Sequence, residues 1–290
     1  MTAYPRISIV VVNLNLGDFL KDALESIFQQ DYPNLELIVV DGGSIDKSLE
    51  IIRQVESRIS WWISEPDGGQ YQALQKGLQR ATGDIMAWLN SDDMYFPGAF
   101  REVAGIFRRH SKAEWIMGFP TEYSHEGIAF RRITLPWARW SKYRYYTYDF
   151  QFIQQESVFW KRSLWEKAGG MVNANMKLAG DLELWTRFFR HAHLFTTTSI
   201  LAGFRHRKTN QRSRDLLPQY LSEAEGVIRN ELKRFGPVRR TGLFLMRLIG
   251  IPLGVFFFYD IRFLRKIYSA IFAIPPVLER DEDKDQTIFG

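Results

Sequence analysis

Residues 7–12 read ISIVVV, an unbroken apolar, β-branched run of the kind that forms a strand covered on both faces. The pattern then changes period. Phe19, Leu20, Ala23, Leu24, Ile27 and Phe28 recur at three- and four-residue steps and predict a helix. A second apolar run, LELIVV (35–40), ends in DGGS and passes into a helical pattern through Ser48, Leu49, Ile51 and Ile52. ISWWIS (59–64) predicts a third strand, GQYQALQKGLQRAT (69–82) a helix and DIMAWLN (84–90) a fourth strand. Strands alternating with helices imply right-handed βαβ units and a parallel sheet. Ligands bind such sheets beyond the carboxyl ends of the strands. The residues to weigh first are therefore those that follow strands: Asn13, Asp41, Glu65 to Asp67, and Asn90 to Asp93.

The regularity fades after residue 100. WARWSKYRYYTYDFQF (137–152) is dense in Trp and Tyr, and Trp137, Trp140, Tyr143 and Tyr146 suit three roles: stacking on sugar rings, lying against lipid, or core packing. QESVFWKRSLWEKAGG (155–170) reads as a strand, a short helix and a glycine stop, and GDLELWTRFFRH (180–191) as a helix with an acidic first turn. Trp88, Trp160 and Trp185 fall within strand or helix patterns and are expected in the core.

The last segment has another character. LIGIPLGVFFFY (248–259) is uncharged but too short to span a bilayer, and Arg239, Arg240, Arg247, Arg262, Arg265 and Lys266 surround it. A basic, aromatic-rich segment of this kind suits a membrane interface, and a helical pair packed on the core is the alternative. The acidic tail RDEDKDQ (280–286) is expected to be disordered. The N-terminus offers a core strand and not a secretory leader, so a cytoplasmic protein, peripheral on the inner face of the cell membrane, is expected.

Composition narrows the chemistry. The chain has 290 residues, 46% hydrophobic and 24% charged, enough for a substantial core. The absence of cysteine excludes disulfides and thiolate metal sites, so a metal would need oxygen or imidazole ligands. A net charge of +5 suits phosphorylated ligands or an anionic membrane. Neither a GxGxxG turn nor a P-loop with its lysine is present, which argues against a dinucleotide fold and an NTPase.

Two adjacent carboxylates, Asp92 and Asp93 in WLNSDDMYFP, end the fourth strand. Such residues commonly form turns, but Asn90, Ser91, Asp92 and Asp93 together offer hard oxygen ligands suited to Mg²⁺ or Mn²⁺ shared with substrate phosphates. Which of the two carboxylates would touch the ion directly is open, with Asp92 preferred. Asp41 ends the second strand, with Gly42 and Gly43 allowing a close turn and Ser44 or Asp46 able to cap the next helix. Asp181 opens a helix, where the macrodipole also favours an acid; Glu183 is the alternative acid there. His206, in FRHRKTNQRS, is either a surface residue or a ligand, beside Arg205, Arg207 and Lys208.

In order and spacing, ISIVVVNLN, VVDGGSID, SEPDGGQYQALQKG, TGDIMAWLNSDD and AGDLELW resemble the family 2 glycosyltransferases, over roughly residues 5–210. The resemblance implies a GT-A fold, a Rossmann-like mostly parallel α/β sheet flanked by helices. On this reading residues 1–210 form the catalytic domain and 211–290 a C-terminal helical, membrane-associating segment. It implies an inverting enzyme that moves a sugar from a nucleotide-diphosphate sugar to a saccharide or lipid-linked saccharide in cell-surface glycan synthesis, with a divalent cation (Mn²⁺ or Mg²⁺). Asn13 would border the nucleotide, Asp41 would hydrogen-bond the base, and Asp67 would face the nucleotide or donor sugar. NSDD would be the metal motif, served by Asp92 and Asp93 with His206 reaching metal or diphosphate, and Asp181 would be the catalytic base. Two positions depart from the family pattern: Asn90 stands where many relatives have Asp, and Gln75 where Asn is frequent. Two other readings compete. A sugar-nucleotide pyrophosphorylase would need a Gly/Arg/Lys-rich triphosphate loop that NLNLGDFLKD does not offer, and an inactive nucleotide-sugar-binding scaffold would not need the full carboxylate set. A nucleic-acid partner is not expected.

Overall fold

The computed structural model describes residues 4–132, 139–150, 153–258 and 262–279. The first half alternates as expected: β1 (Ile7–Asn13), α1 (Gly17–Phe28), β2 (Leu35–Asp41), α2 (Ser48–Gln54), β3 (Trp61–Ser64), α3 (Gln70–Arg80) and β4 (Ile85–Asn90). The chain continues through β5 (Met94–Tyr95), α4 (Ala99–Arg109), β6 (Trp115–Met117), β7 (Thr121–Tyr123), β8 (Ala129–Arg132), α5 (Lys142–Tyr146), β9 (Val158–Lys161) and α6 (Arg162–Lys167). It ends with α7 (Gly180–Phe188), β10 (Leu194–Thr196), β11 (Ala202–Arg205), α8 (Arg212–Asp215), α9 (Leu217–Leu232), α10 (Pro237–Phe258) and α11 (Arg262–Ile271).

Seven strands form the main sheet in the order β10-β6-β9-β4-β1-β2-β3. β1 is buried along its whole length and pairs in parallel with β2 and β4, and β2 with β3; β9 runs antiparallel between β4 and β6. The continuous apolar runs are thus the central strands of a sheet covered on both faces. At Gly77 the helix α3 comes so close to β1 that a Cβ would stand 2.4 Å from Val10 Cγ1, so only glycine fits there. Register levels the strand ends: Asn13 lies opposite Asp41, Val12 opposite Asn90, and Asp41 opposite Ser64. One carboxyl edge therefore collects the residues singled out from the sequence.

A smaller sheet, β5-β11-β7-β8, lies downstream and carries Arg205 at the end of β11 toward the loop that follows β4. Its strands are two to four residues long, too short for a readable alternation.

Trp88, Trp160 and Trp185 are in the core, as expected, each at most 1% exposed. Trp88 and Trp185 stack at 5.3 Å with rings 14° apart, and Trp160 meets both edge-on at 5.6 and 5.9 Å. This block ties β4 to α7. In the aromatic-rich middle stretch, Trp140, Tyr145 and Tyr146 are buried and Tyr143 packs beside Tyr268 and Phe272, while Trp137 lies outside the described residues.

The packing does not break at residue 210. Ala224 and Ile228 of α9 belong to the same core as the main sheet. Beyond it, α11 packs against α10, while Phe244, Leu245, Leu248 and Ile249 of α10 remain about half exposed. No helix among the described residues is long and apolar enough to cross a membrane. The tail at 280–286 lies outside the described residues.

Candidate active site

At the ends of β1, β2 and β3, a fully buried carboxylate organises the turn. Asp41 accepts hydrogen bonds from Asn13 Nδ2 (2.7 Å), Ser44 Oγ (2.6 Å), Ser44 N (2.8 Å), Gly43 N (3.1 Å) and Ser64 Oγ (2.6 Å). Burial works to raise its pKa, but these bonds outweigh it and hold the carboxyl below its ordinary value. Asp41 was expected to bind the base. Those five bonds engage both carboxylate oxygens, and Asp41 is not among the residues that line the cavity. Asn13 is on the wall. Its amide nitrogen is held by Asp41 and Ser44, which leaves Oδ1 buried without a partner. Asp67 also lines the cavity, its Oδ1 accepting the Gly69 N–H at 2.8 Å. A Cβ on Gly42 would meet Asp67 Oδ2 at 2.9 Å and push that carboxylate away.

Asn90 sits in a relay of amides. Gln70 donates to Asn90 Oδ1 (2.8 Å), Asn90 Nδ2 donates to Gln155 Oε1 (3.1 Å), and Gln155 donates to the Trp88 carbonyl (2.7 Å). The other departure, Gln75, accepts the Val172 N–H at 2.6 Å and holds the loop before α7.

The paired acids separate. Asp92 lines the cavity, with Arg207 Nε 3.0 Å from its Oδ2. Asp93, 1% exposed, lies behind it and accepts the Arg205 N–H at 3.0 Å and Asn90 Nδ2 at 3.4 Å. Burial raises the pKa of both; Arg207 opposes this at Asp92, while Asp92 and Glu156 push Asp93 higher still. His206 lines the same cavity but meets Glu122 Oε2 at 3.1 Å, and no contact joins it to either aspartate.

Asp181 sits at the second residue of α7. The preceding loop is gripped by Glu223 of α9, whose carboxylate accepts the N–H groups of Lys177, Leu178 and Ala179 at 2.9–3.1 Å. Tyr71 Oη lies 3.4 Å from Asp181 Oδ1. Burial lifts the Asp181 carboxyl to about 6, against hydrogen bonds from the helix backbone, Tyr71 and Tyr220 that pull it down. Glu183, the alternative acid, is bound by Arg187 at 2.8 Å through both oxygens and does not line the cavity.

One residue absent from the sequence reading belongs to this wall. Glu156 is 3% exposed and lines the cavity, with Oε1 unpartnered. In sequence it looked like a polar lead-in to the strand VFWK.

Asp92, Asp93 and Glu156 crowd negative charge into a buried space, which a divalent cation relieves. Among the described residues no group of three His, Asp or Glu side chains could hold an ion alone. The donor set fits a magnesium- or manganese-type ion held by one or two carboxylates, with ligand phosphate oxygens completing its shell. Of the two adjacent aspartates, Asp92 is the one that lines the cavity.

Asn13, Asp67, Asn90, Asp92, Glu156, Asp181 and His206 line one cavity of about 1630 Å³. That exceeds a single-ligand pocket and suits two reactants. The profile described as "Glycosyl transferase family 2" matches residues 8–163, more than half of the chain. The chain is a family 2 glycosyltransferase. An uncharacterised glycosyltransferase of Rickettsia typhi is 24% identical to it over 80% of this chain and 74% of the relative. Among solved structures, residues 1–349 of S. aureus TarS in complex with UDP-GlcNAc superpose with a TM-score of 0.65 at 16% identity, covering 83% of this glycosyltransferase and 72% of that chain. In a separate, longer TarS structure this glycosyltransferase covers 43% of the chain. The mannosyltransferase PcManGT of Pyrobaculum calidifontis, in complex with GDP-Man and Mn²⁺, gives a TM-score of 0.59 at 18% identity, covering 81% and 66%. At these identities the likeness establishes the GT-A fold alone.

Proposed function

We propose that this glycosyltransferase transfers a sugar, with inversion at the anomeric carbon, from a nucleotide-diphosphate sugar to a hydroxyl of a saccharide or lipid-linked saccharide. One observation carries the reading: Asp92 and Asp181, from different elements, line one cavity, and Asp181 has a carboxyl near 6. A sugar hydroxyl is a weak nucleophile. Asp181 takes its proton as the hydroxyl oxygen bonds to the anomeric carbon, and the bond to the diphosphate oxygen breaks with its electron pair leaving on the nucleotide. A base near 6 is ionised at neutral pH yet basic enough to matter, a contribution typically worth about 10²–10⁴-fold. Asn13 Oδ1 is a free acceptor for an N–H of the base, and Asp67 borders the nucleotide or donor sugar. A divalent cation, when bound, would stabilise charge on the leaving diphosphate. Asp92 would hold it, with Asp93 behind, and His206 stands at the rim for the diphosphate. Complexes of the fold neighbours with UDP-GlcNAc and with GDP-Man and Mn²⁺ support this class of donor.

The cavity extends past Asp181 to Leu217, Tyr220, Arg229 and Arg247. Arg247 lies on α10 beside the exposed Phe244 and Leu248, which favours an amphiphilic acceptor at the inner face of the cell membrane. Glycan assembly at that surface is the setting we assign, with α10 onward as the membrane-associating part.

Asp181→Asn is expected to lower kcat by roughly 10²–10⁴-fold while leaving donor affinity nearly intact. Asp92→Asn should weaken Mn²⁺-dependent donor binding. Full turnover by either folded variant would remove the assignment.

A further inference from the structure

The turn before β9 has the sequence QQES, residues 154–157, and three of its four side chains are committed to the protein. Gln154 bonds both ways with the Thr121 backbone, accepting at 3.0 Å and donating at 2.7 Å. Gln155 joins the amide relay to Asn90 and Trp88, and Ser157 Oγ donates to the Gln154 carbonyl at 2.8 Å. Only Glu156 is left over. It is held on a rigid turn, almost wholly buried, with Oε1 lacking any hydrogen-bond partner and its side chain on the cavity wall. A buried polar atom without a partner is costly, and a bound ligand can remove that cost.

Its surroundings locate that ligand. Glu156 lines the cavity together with Asp92 and Asp181, and its neighbour Gln155 is bonded to Asn90, two residues before Asp92. In an in-line displacement the leaving phosphate lies on one side of the transferred sugar and the base on the other. A side chain that shares the cavity wall with both acids stands beside the sugar itself. We propose that Glu156 is a sugar-recognition residue, its carboxyl bonding a hydroxyl or amide of the sugar being transferred and so helping to select which sugar is accepted. The assignment rests on the donor reading above. Its unpartnered oxygen is an acceptor for a sugar O–H or N–H. A polar site of this kind discriminates strongly, because an epimer that misplaces the hydroxyl leaves the buried group unpaired.

The test uses the full chain with Mn²⁺ and a panel of UDP-, GDP- and dTDP-linked sugars, each titrated calorimetrically beside its own nucleoside diphosphate. For the donor that binds the wild type, Glu156→Ala should weaken the nucleotide sugar about tenfold and leave the diphosphate nearly unchanged. Glu156→Gln keeps an acceptor oxygen and should restore nucleotide-sugar binding to near the wild-type value. Equal weakening of sugar and diphosphate, no change in either, or a Gln variant as weak as Ala would each overturn the assignment. If the wild type binds no nucleotide sugar at all, the donor reading fails with it, an outcome distinct from the other three.

Discussion

Asp181 binds its proton more tightly in the folded protein than an ordinary aspartate, about 6 against 3.8. Two consequences follow with opposite signs. As the proposed base it must be ionised, so kcat/KM should rise with pH through about 6 and flatten above it; a profile flat from pH 5 to 8 would exclude it. For stability, a raised folded value means the contribution is fully present below the unfolded value and lost as pH rises through about 6. Above that, the ionised group costs about 3 kcal/mol. Asp181→Asn should therefore raise the melting temperature at pH 7 and give little gain below pH 4, measured by calorimetry across that range. That Asp92 and Asp181 lie at one cavity was legible because each sits at an element boundary in a recognisable run. Asp41 was legible as a strand-end acid but not in its role, because Ser64, 23 residues away, is one of the groups that consume it. Glu156 gave no signal: QES before an apolar run is ordinary, and its isolation depends on what its neighbours bond.

Among elements, the tryptophan block between β4 and α7 sets how the NSDD loop and the Asp181 helix sit relative to one another. Trp185 is buried and stacked on Trp88, so Trp185→Ala should cost about 3–5 kcal/mol in urea unfolding. Activity should fall further than the lost folded fraction explains, since the two acids are then less firmly placed. A loss below 1 kcal/mol would mean that the block is not what joins them. The alternating core strands and helices were readable because each is long enough to show its period. The small sheet was not, since its strands are short and pair across distant segments, as β11 does with β5 and β7.

For the whole molecule, the sequence drew a boundary near residue 210, whereas the core extends through α9. Glu223 and Tyr220 of that helix reach the loop and the acid of α7, so the catalytic unit needs it. The exposed apolar row on α10 with its arginines is where a membrane would be met. The full chain is expected to float with vesicles containing phosphatidylglycerol, and a chain ending at Gly236 to remain in the soluble fraction. Equal flotation of both would place the contact elsewhere. The sequence left open whether this segment packs or meets lipid, because both demand apolar residues; α11 packs on α10, while Phe244, Leu245, Leu248 and Ile249 of α10 stay about half exposed, the face proposed to meet lipid.

The amide relay from Gln70 through Asn90 and Gln155 to the Trp88 carbonyl runs in one direction, each amide donating to the next. An aspartate at 90 has no proton for Gln155 and would add another acid to a space that already holds three. Residues 70, 90 and 155 are therefore linked in what sequence change they tolerate. A lineage could exchange the amide at 90 for an acid only by remaking its partners with it, so the three positions are expected to evolve as a set.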